Sequence, residues 1–159
     1  MSCDSLRNRE ARKQVEIVEL TAKGNYYISP WVDMGISIRT LPLIILKISE
    51  TDDEALFNAA LEAMKYCRMP TLEEDSEYDK TLDSNVIFDD YGFKKATGFG
   101  VMSFFRKDVP NTLLLYTNDN QFDFMYQCNE TMQVGHLYCN VDCPIDEKAK
   151  ILREALNRS

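Results

Sequence analysis

The chain has 159 residues, 45% of them apolar and 28% charged, with a net charge of −8. That length suits one domain over 1–159, and that balance excludes both wholesale disorder and a fibrous repeat. The longest apolar run, Leu41 to Leu46, contains Pro42 and stops at Lys47, too short to cross a bilayer. The N-terminal residues Asp4, Arg7, Arg9, Glu10, Arg12 and Lys13 leave no apolar stretch for a secretory signal. Five cysteines at irregular spacings, Cys3, Cys67, Cys128, Cys139 and Cys143, argue against a disulfide framework. They point to a reducing, cytoplasmic setting with the thiols mostly packed as small hydrophobes.

Along the chain, 1–14 is polar and mixed in charge and supports no more than a frayed helix. Val15 to Leu20 is rich in β-branched residues, 22–25 carries turn chemistry, and Tyr26-Tyr27-Ile28 follows, so a β-hairpin is expected. Pro30 is expected to end its second strand, and Gly35 to mark a turn before Ile36 to Arg39. The apolar Leu43 to Ile48 segment then reads as a buried strand. Thr51 or Asp52 can cap a helix with acids in its first turn and Leu56, Ala59, Ala60, Ala63, Met64 and Cys67 on one face. Met69 to Ser84 reads as an exposed acidic loop, Val86-Ile87-Phe88 as a short buried piece, and Tyr91 to Phe99 as a brief helix.

Four strands should follow, Val101 to Arg106, Thr112 to Thr117, Gln121 to Tyr126 and Met132 to Val141, forming an antiparallel meander. After Pro144, Ile145 to Arg158 should close the chain as a helix with Ala149, Leu152, Ala155 and Leu156 on one face. The expected class is α+β, a mostly antiparallel sheet with packed helices. An offset of 92 residues lays Ala60, Ala63 and Met64 over Leu152, Ala155 and Leu156. That overlay admits a duplicated β-β-β-α unit, although unrelated amphipathic helices overlay almost as well.

Sites of chemistry are sparse in the residues. His136 is the single histidine, and no serine sits in a nucleophile elbow. His136, Cys139 and Cys143 have ligand-like spacing, yet strand alternation would put His136 and Cys139 on opposite faces, so no metal is expected. Gly92, Gly98 and Gly100 form no phosphate-binding loop, and no cofactor is expected. On the strand from Gln121, Phe122, Phe124 and Tyr126 share one face, which reads as core, and Asp123 and Met125 the other.

Charge is the strongest signal. Between Glu50 and Asp90 lie thirteen acids against Lys65, Arg68 and Lys80, a balance of −10, so the rest of the chain sums to about +2. Such a field repels nucleic acid and attracts a basic protein. The segments Asn25-Tyr26-Tyr27-Ile28-Ser29-Pro30-Trp31, Leu41-Pro42, Ile44 to Ile48, Asp53-Glu54-Ala55-Leu56, Leu61-Glu62-Ala63, Tyr91-Gly92-Phe93-Lys94-Lys95 and Glu154-Ala155-Leu156 resemble the immunity proteins of bacterial contact-dependent growth inhibition systems. The resemblance implies a non-enzymatic protein that binds and neutralises a cognate toxin domain, often a nuclease, inside the cell that makes it. It transfers no site residues.

Charge and aromatic content together nominate Glu73, Glu74, Asp75, Glu77, Tyr78, Asp79, Asp83, Asp89, Asp90 and Tyr91 as partner-binding, with Phe88 a further anchor. The competing readings are a small enzyme using His136 or a carboxylate pair, and an adaptor with no toxin.

Overall fold

The computed structural model describes residues 12–34, 36–73, 93–98, 111–128 and 130–159. They form an α+β fold, seven strands in one antiparallel sheet with helices packed on it. The strands are β1 (Gln14–Leu20), β2 (Asn25–Met34), β3 (Ile36–Arg39), β4 (Ile44–Lys47), β5 (Thr112–Asn118), β6 (Gln121–Gln127) and β7 (Val134–Asn140). The helices are α1 (Asp53–Met64), the short α2 (Phe93–Thr97) and α3 (Ile145–Arg158).

The β1–β2 hairpin closes at Leu20↔Asn25, and Gly24 takes the left-handed backbone, φ 71°, that a residue without Cβ adopts at little cost. Pro30 does not end β2, contrary to the sequence expectation. The Pro30 carbonyl accepts from the Thr40 N–H at 2.8 Å, so its nitrogen faces the same side, where β2 changes partner from β4 to β3. No ladder donor is needed at that gap, and the strand runs on to Met34. The 44–47 strand is likewise not buried. It lies at a sheet edge, with Ile44 and Leu46 turned to the core and Ile45 50% exposed on the other face.

The main sheet runs β4-β2-β1-β5-β6-β7, with β3 beside the far half of β2. β1 and β5 pair antiparallel at its centre through Glu16↔Leu114 and their neighbours. From there each half goes outward strand by strand and then sends one helix back across the same face, so the two halves repeat one topology. β3 is extra to the first half.

Alternation assigns the faces. Val15, Ile17, Tyr26, Ile28, Leu113, Leu115, Phe122 and Phe124 lie under the helices in one core with Leu56, Phe57, Ala60 and Ala63 of α1 and Leu152, Ala155 and Leu156 of α3. Asp52 caps α1 by accepting from the Ala55 N–H at 2.8 Å, as the acid-rich helix start predicts. The α3 face of Ala149, Leu152, Ala155 and Leu156 is buried as its spacing requires.

Arg153 of α3 locks helices to sheet. It donates to Asp53 at 3.0 and 2.8 Å, to Glu19 at 2.7 Å and to the Tyr26 hydroxyl at 2.6 Å. Burial by itself would raise the Glu19 carboxyl, but hydrogen bonds from Arg153 and Asn111 outweigh it and hold Glu19 below its ordinary value of 4.5. A group lowered in the folded state adds stability above its unfolded value, and that stability is lost as pH falls through the folded one. Acid titration of stability should therefore show wild type and Arg153→Leu converging as pH drops below about 4.5. A constant gap between them on acidification would remove Glu19 from the account.

The opposite sheet face is also largely closed. Glu16, Val18, Ser29, Leu114 and Asp123 are each no more than 5% exposed there. Arg39 at the end of β3 crosses this face to Glu16, with Nε at 3.0 Å and Nη2 at 2.7 Å from Oε1 and Nη2 at 3.0 Å from Oε2. Both side chains are buried.

Candidate functional site

Of the ten nominated partner-binding residues, Glu73 is described and is exposed. Glu74, Asp75, Glu77, Tyr78, Asp79, Asp83, Asp89, Asp90 and Tyr91 lie outside the described residues, as do Phe88 and the expected Val101 to Arg106 strand. The first part of the acidic segment is in view. Glu50, Asp52, Glu54 and Glu62 line the outside of α1 and the turn before it, all exposed. Glu62 is paired to Lys65 at 2.7 Å and Glu50 to Lys47 at 3.6 Å, solvent-exposed pairs that hold their partners weakly. Asp53 is turned inward to Arg153. This stretch is thus a carboxylate-rich helix face whose inner edge is structural and whose outer edge is exposed.

A second cluster sits at the other side of the molecule, on the sheet face away from α1 and α3. β5, β6 and β7 bring Tyr116, Asp123 and Tyr138 into cross-strand register, and His136 lies diagonal to Asp123. His136 Nδ1 is 2.9 and 3.1 Å from the two Asp123 oxygens. With a carboxylate accepting there, Nδ1 carries the proton and donates, which leaves Nε2 for an outside partner. Asp123 is 5% exposed and His136 about a third exposed, so a covered carboxylate orients an open imidazole. Tyr138 stacks on His136, centroids 5.9 Å apart and planes within 6°. Burial and then the hydrogen bond to Asp123 push the Tyr116 phenol well above its ordinary 10.0.

The arrangement can hold an imidazole in one tautomer and present it beside an aromatic ring. It does not converge on a metal. Cys139 lies on the helix-covered face, 6% exposed, while His136 lies on the opposite one, as strand alternation requires. Among the described residues no group of three or more His, Cys, Asp or Glu is placed to hold a metal ion.

The Asp123–His136 pair was within reach of the sequence only in part. Alternation puts Asp123 on the face opposite Phe122 and Phe124, which the structure bears out, with both rings in the core. Finding its partner requires the β6–β7 register, Met125↔His136, which follows a turn closed by the Cys128 N–H donating to the Gln133 carbonyl at 2.9 Å. That turn also carries Cys128, whose thiol is held below its ordinary value by hydrogen bonds, first from the Thr131 side chain and then from the backbone of Thr131 and Glu130. Of the four cysteines described, Cys139 is buried in the core and Cys67 and Cys143 are partly exposed but pack against it, as expected of small hydrophobes, while Cys128 in its turn departs from that expectation.

No family profile matches the sequence, and no curated protein matches it. Among solved structures, a protein of unknown function from Neisseria meningitidis is similar in fold, with a TM-score of 0.63 over 95% of this chain and 97% of that one at 16% identity. No helix among the described residues is long and apolar enough to cross a membrane.

Proposed function

We propose that this chain is an immunity protein, one that binds a cognate toxin domain in the cytoplasm and blocks it through an acidic surface. The observation that carries the reading is the concentration of charge, −10 within 50–90 of a chain whose total is −8. The resemblance to contact-dependent growth inhibition immunity proteins supports it, as do the exposed carboxylates Glu50, Asp52, Glu54, Glu62 and Glu73. A nuclease toxin must offer cations to a phosphate backbone, and an acidic inhibitor can cover them. The inhibitor also has to arrive before nucleic acid does. Electrostatic steering speeds such encounters by roughly 10 to 1,000-fold at low salt.

The test is stopped-flow association with the toxin domain encoded beside this chain's gene. Replacing Glu73, Glu74, Asp75 and Glu77 together by lysine should slow capture by about tenfold or more and flatten its salt dependence. Unchanged kinetics would refute the acidic surface as the binding site, and the lack of any complex with that domain would refute the function itself.

One observation favours a different reading. The Asp123–His136 pair has the carboxylate-oriented imidazole of a general base, which suits a small enzyme acting through His136. His136→Ala separates the two: neutralisation of the toxin should persist in it, whereas a reaction carried by the imidazole would be lost.

A further inference from the structure

Cys139 and Cys143 flank the corner where β7 turns into α3. The corner is closed by the Cys143 N–H donating to the Asn140 carbonyl at 3.1 Å and the Val141 N–H to the Asn120 carbonyl at 2.8 Å. Strand alternation places Cys139 on the helix-covered face, and the turn brings Cys143 back against the same core cluster. Both side chains pack into that one cluster, four residues apart across the turn, and Cys143 is among the groups that act on the Cys139 thiol. Both are free thiols, Cys139 buried and Cys143 partly exposed.

We propose that Cys139 and Cys143 form an oxidative modification site at which a peroxide converts the thiol pair into an intramolecular disulfide, with Cys143 reacting first and Cys139 closing the bond. The roles follow from access. A small peroxide reaches the partly exposed Cys143, while Cys139 is covered. In the first step the Cys143 sulfur attacks the peroxide, the O–O bond breaks, and Cys143 becomes a sulfenic acid as one water leaves with the thiol proton. In the second the Cys139 sulfur attacks the Cys143 sulfur, the S–S bond forms as the S–O bond breaks, and hydroxide leaves with the Cys139 proton as a second water. Two thiols lose two electrons and two protons, and hydrogen peroxide takes up both.

The surroundings of Cys139 set the pH behaviour of closure. Burial, the largest influence, and then Cys143 push its thiol up to about 11, with Glu147 of α3 adding to the rise and the Lys148 ammonium opposing it. Lys148 is fixed there by its Nζ donating to the Val141 carbonyl at 2.6 Å. Closure should quicken with pH toward that value as the Cys139 thiolate fraction grows.

The experiment uses the full chain with Cys3, Cys67 and Cys128 changed to serine, treated with hydrogen peroxide with and without dimedone and mapped by peptide mass. The peptide carrying both cysteines is expected to lose two hydrogens, regain them with dithiothreitol, and take up little dimedone. Cys139→Ala in this background should stop at a sulfenic acid that dimedone traps on Cys143. Cys143→Ser should leave Cys139 reduced. The proposal is overturned if the pair stays reduced at peroxide levels that oxidise Cys128 in the wild type. It is equally overturned if dimedone labels Cys143 alike with and without Cys139, or if the product is a link between two molecules.

Discussion

Arg39→Met is expected to destabilise the fold by about 3–5 kcal/mol, among the largest effects of any single substitution in this chain. The cause is Glu16, which has no exposure and accepts three contacts from the Arg39 guanidinium within 3.0 Å. With the guanidinium gone, a carboxylate buried on the sheet face loses these three charge-assisted contacts, and either it draws in water or the face opens. The worth of the intact pair is much smaller, since bringing both ions out of water costs about what their attraction returns. Glu16→Met with Arg39→Met should therefore recover most of the loss. Urea denaturation of the two single variants and the double variant measures this, and a double variant as unstable as the sum of the singles would refute the coupling.

That ion pair also shows where sequence reasoning stops. The β-branched content of Val15 to Leu20 marks a strand, and nothing local to it says that Glu16 lies on a covered face. Here both faces of β1 are covered, Val15 and Ile17 by helices and Glu16 by Arg39 arriving from β3. Local pattern predicts the strand and its period but not whether the second face is open. The same ambiguity misplaced the 44–47 strand, where a continuous apolar run suggested burial on both sides and edge position left Ile45 exposed. Other local signals held. Of Thr51 and Asp52, both able to cap, Asp52 is the residue that caps α1, and the spacing of Ala149, Leu152, Ala155 and Leu156 is one buried helix face.

The candidate sites divide in the same way. Charge is additive along a chain, so the acidic segment from Glu50 to Asp90 can be read without any structure. The structure refines its first part by turning Asp53 inward while Asp52 and Glu54 stay exposed. The imidazole site depends on register between strands, and its members Tyr116, Asp123, His136 and Tyr138 share no sequence motif.

Phe57→Ala should cost about 3–5 kcal/mol and lower the stability of both halves of the sheet together. Phe57 is fully buried on α1, a first-half helix, yet its ring meets second-half strand residues. It lies edge-on to Phe122 at 5.3 Å and tilted against Phe124 at 6.2 Å. Lys148 of α3 sits over the same cluster, its Nζ 5.4 Å from the Phe122 ring centre and 6.0 Å from that of Phe57. Truncation to alanine loses the transfer energy of the ring and leaves a void that these rigid neighbours refill only in part, whereas Phe57→Leu keeps most of the volume and should cost about 1–2 kcal/mol. Because the helices of both halves share one core, the repeated topology cannot melt one unit at a time. The single tryptophan, Trp31, lies on β2 and reports the first half, while far-ultraviolet dichroism reports the whole sheet. In Phe57→Ala the two signals should shift to lower temperature by the same amount and remain superimposed, and a separation between them would show that the halves unfold independently.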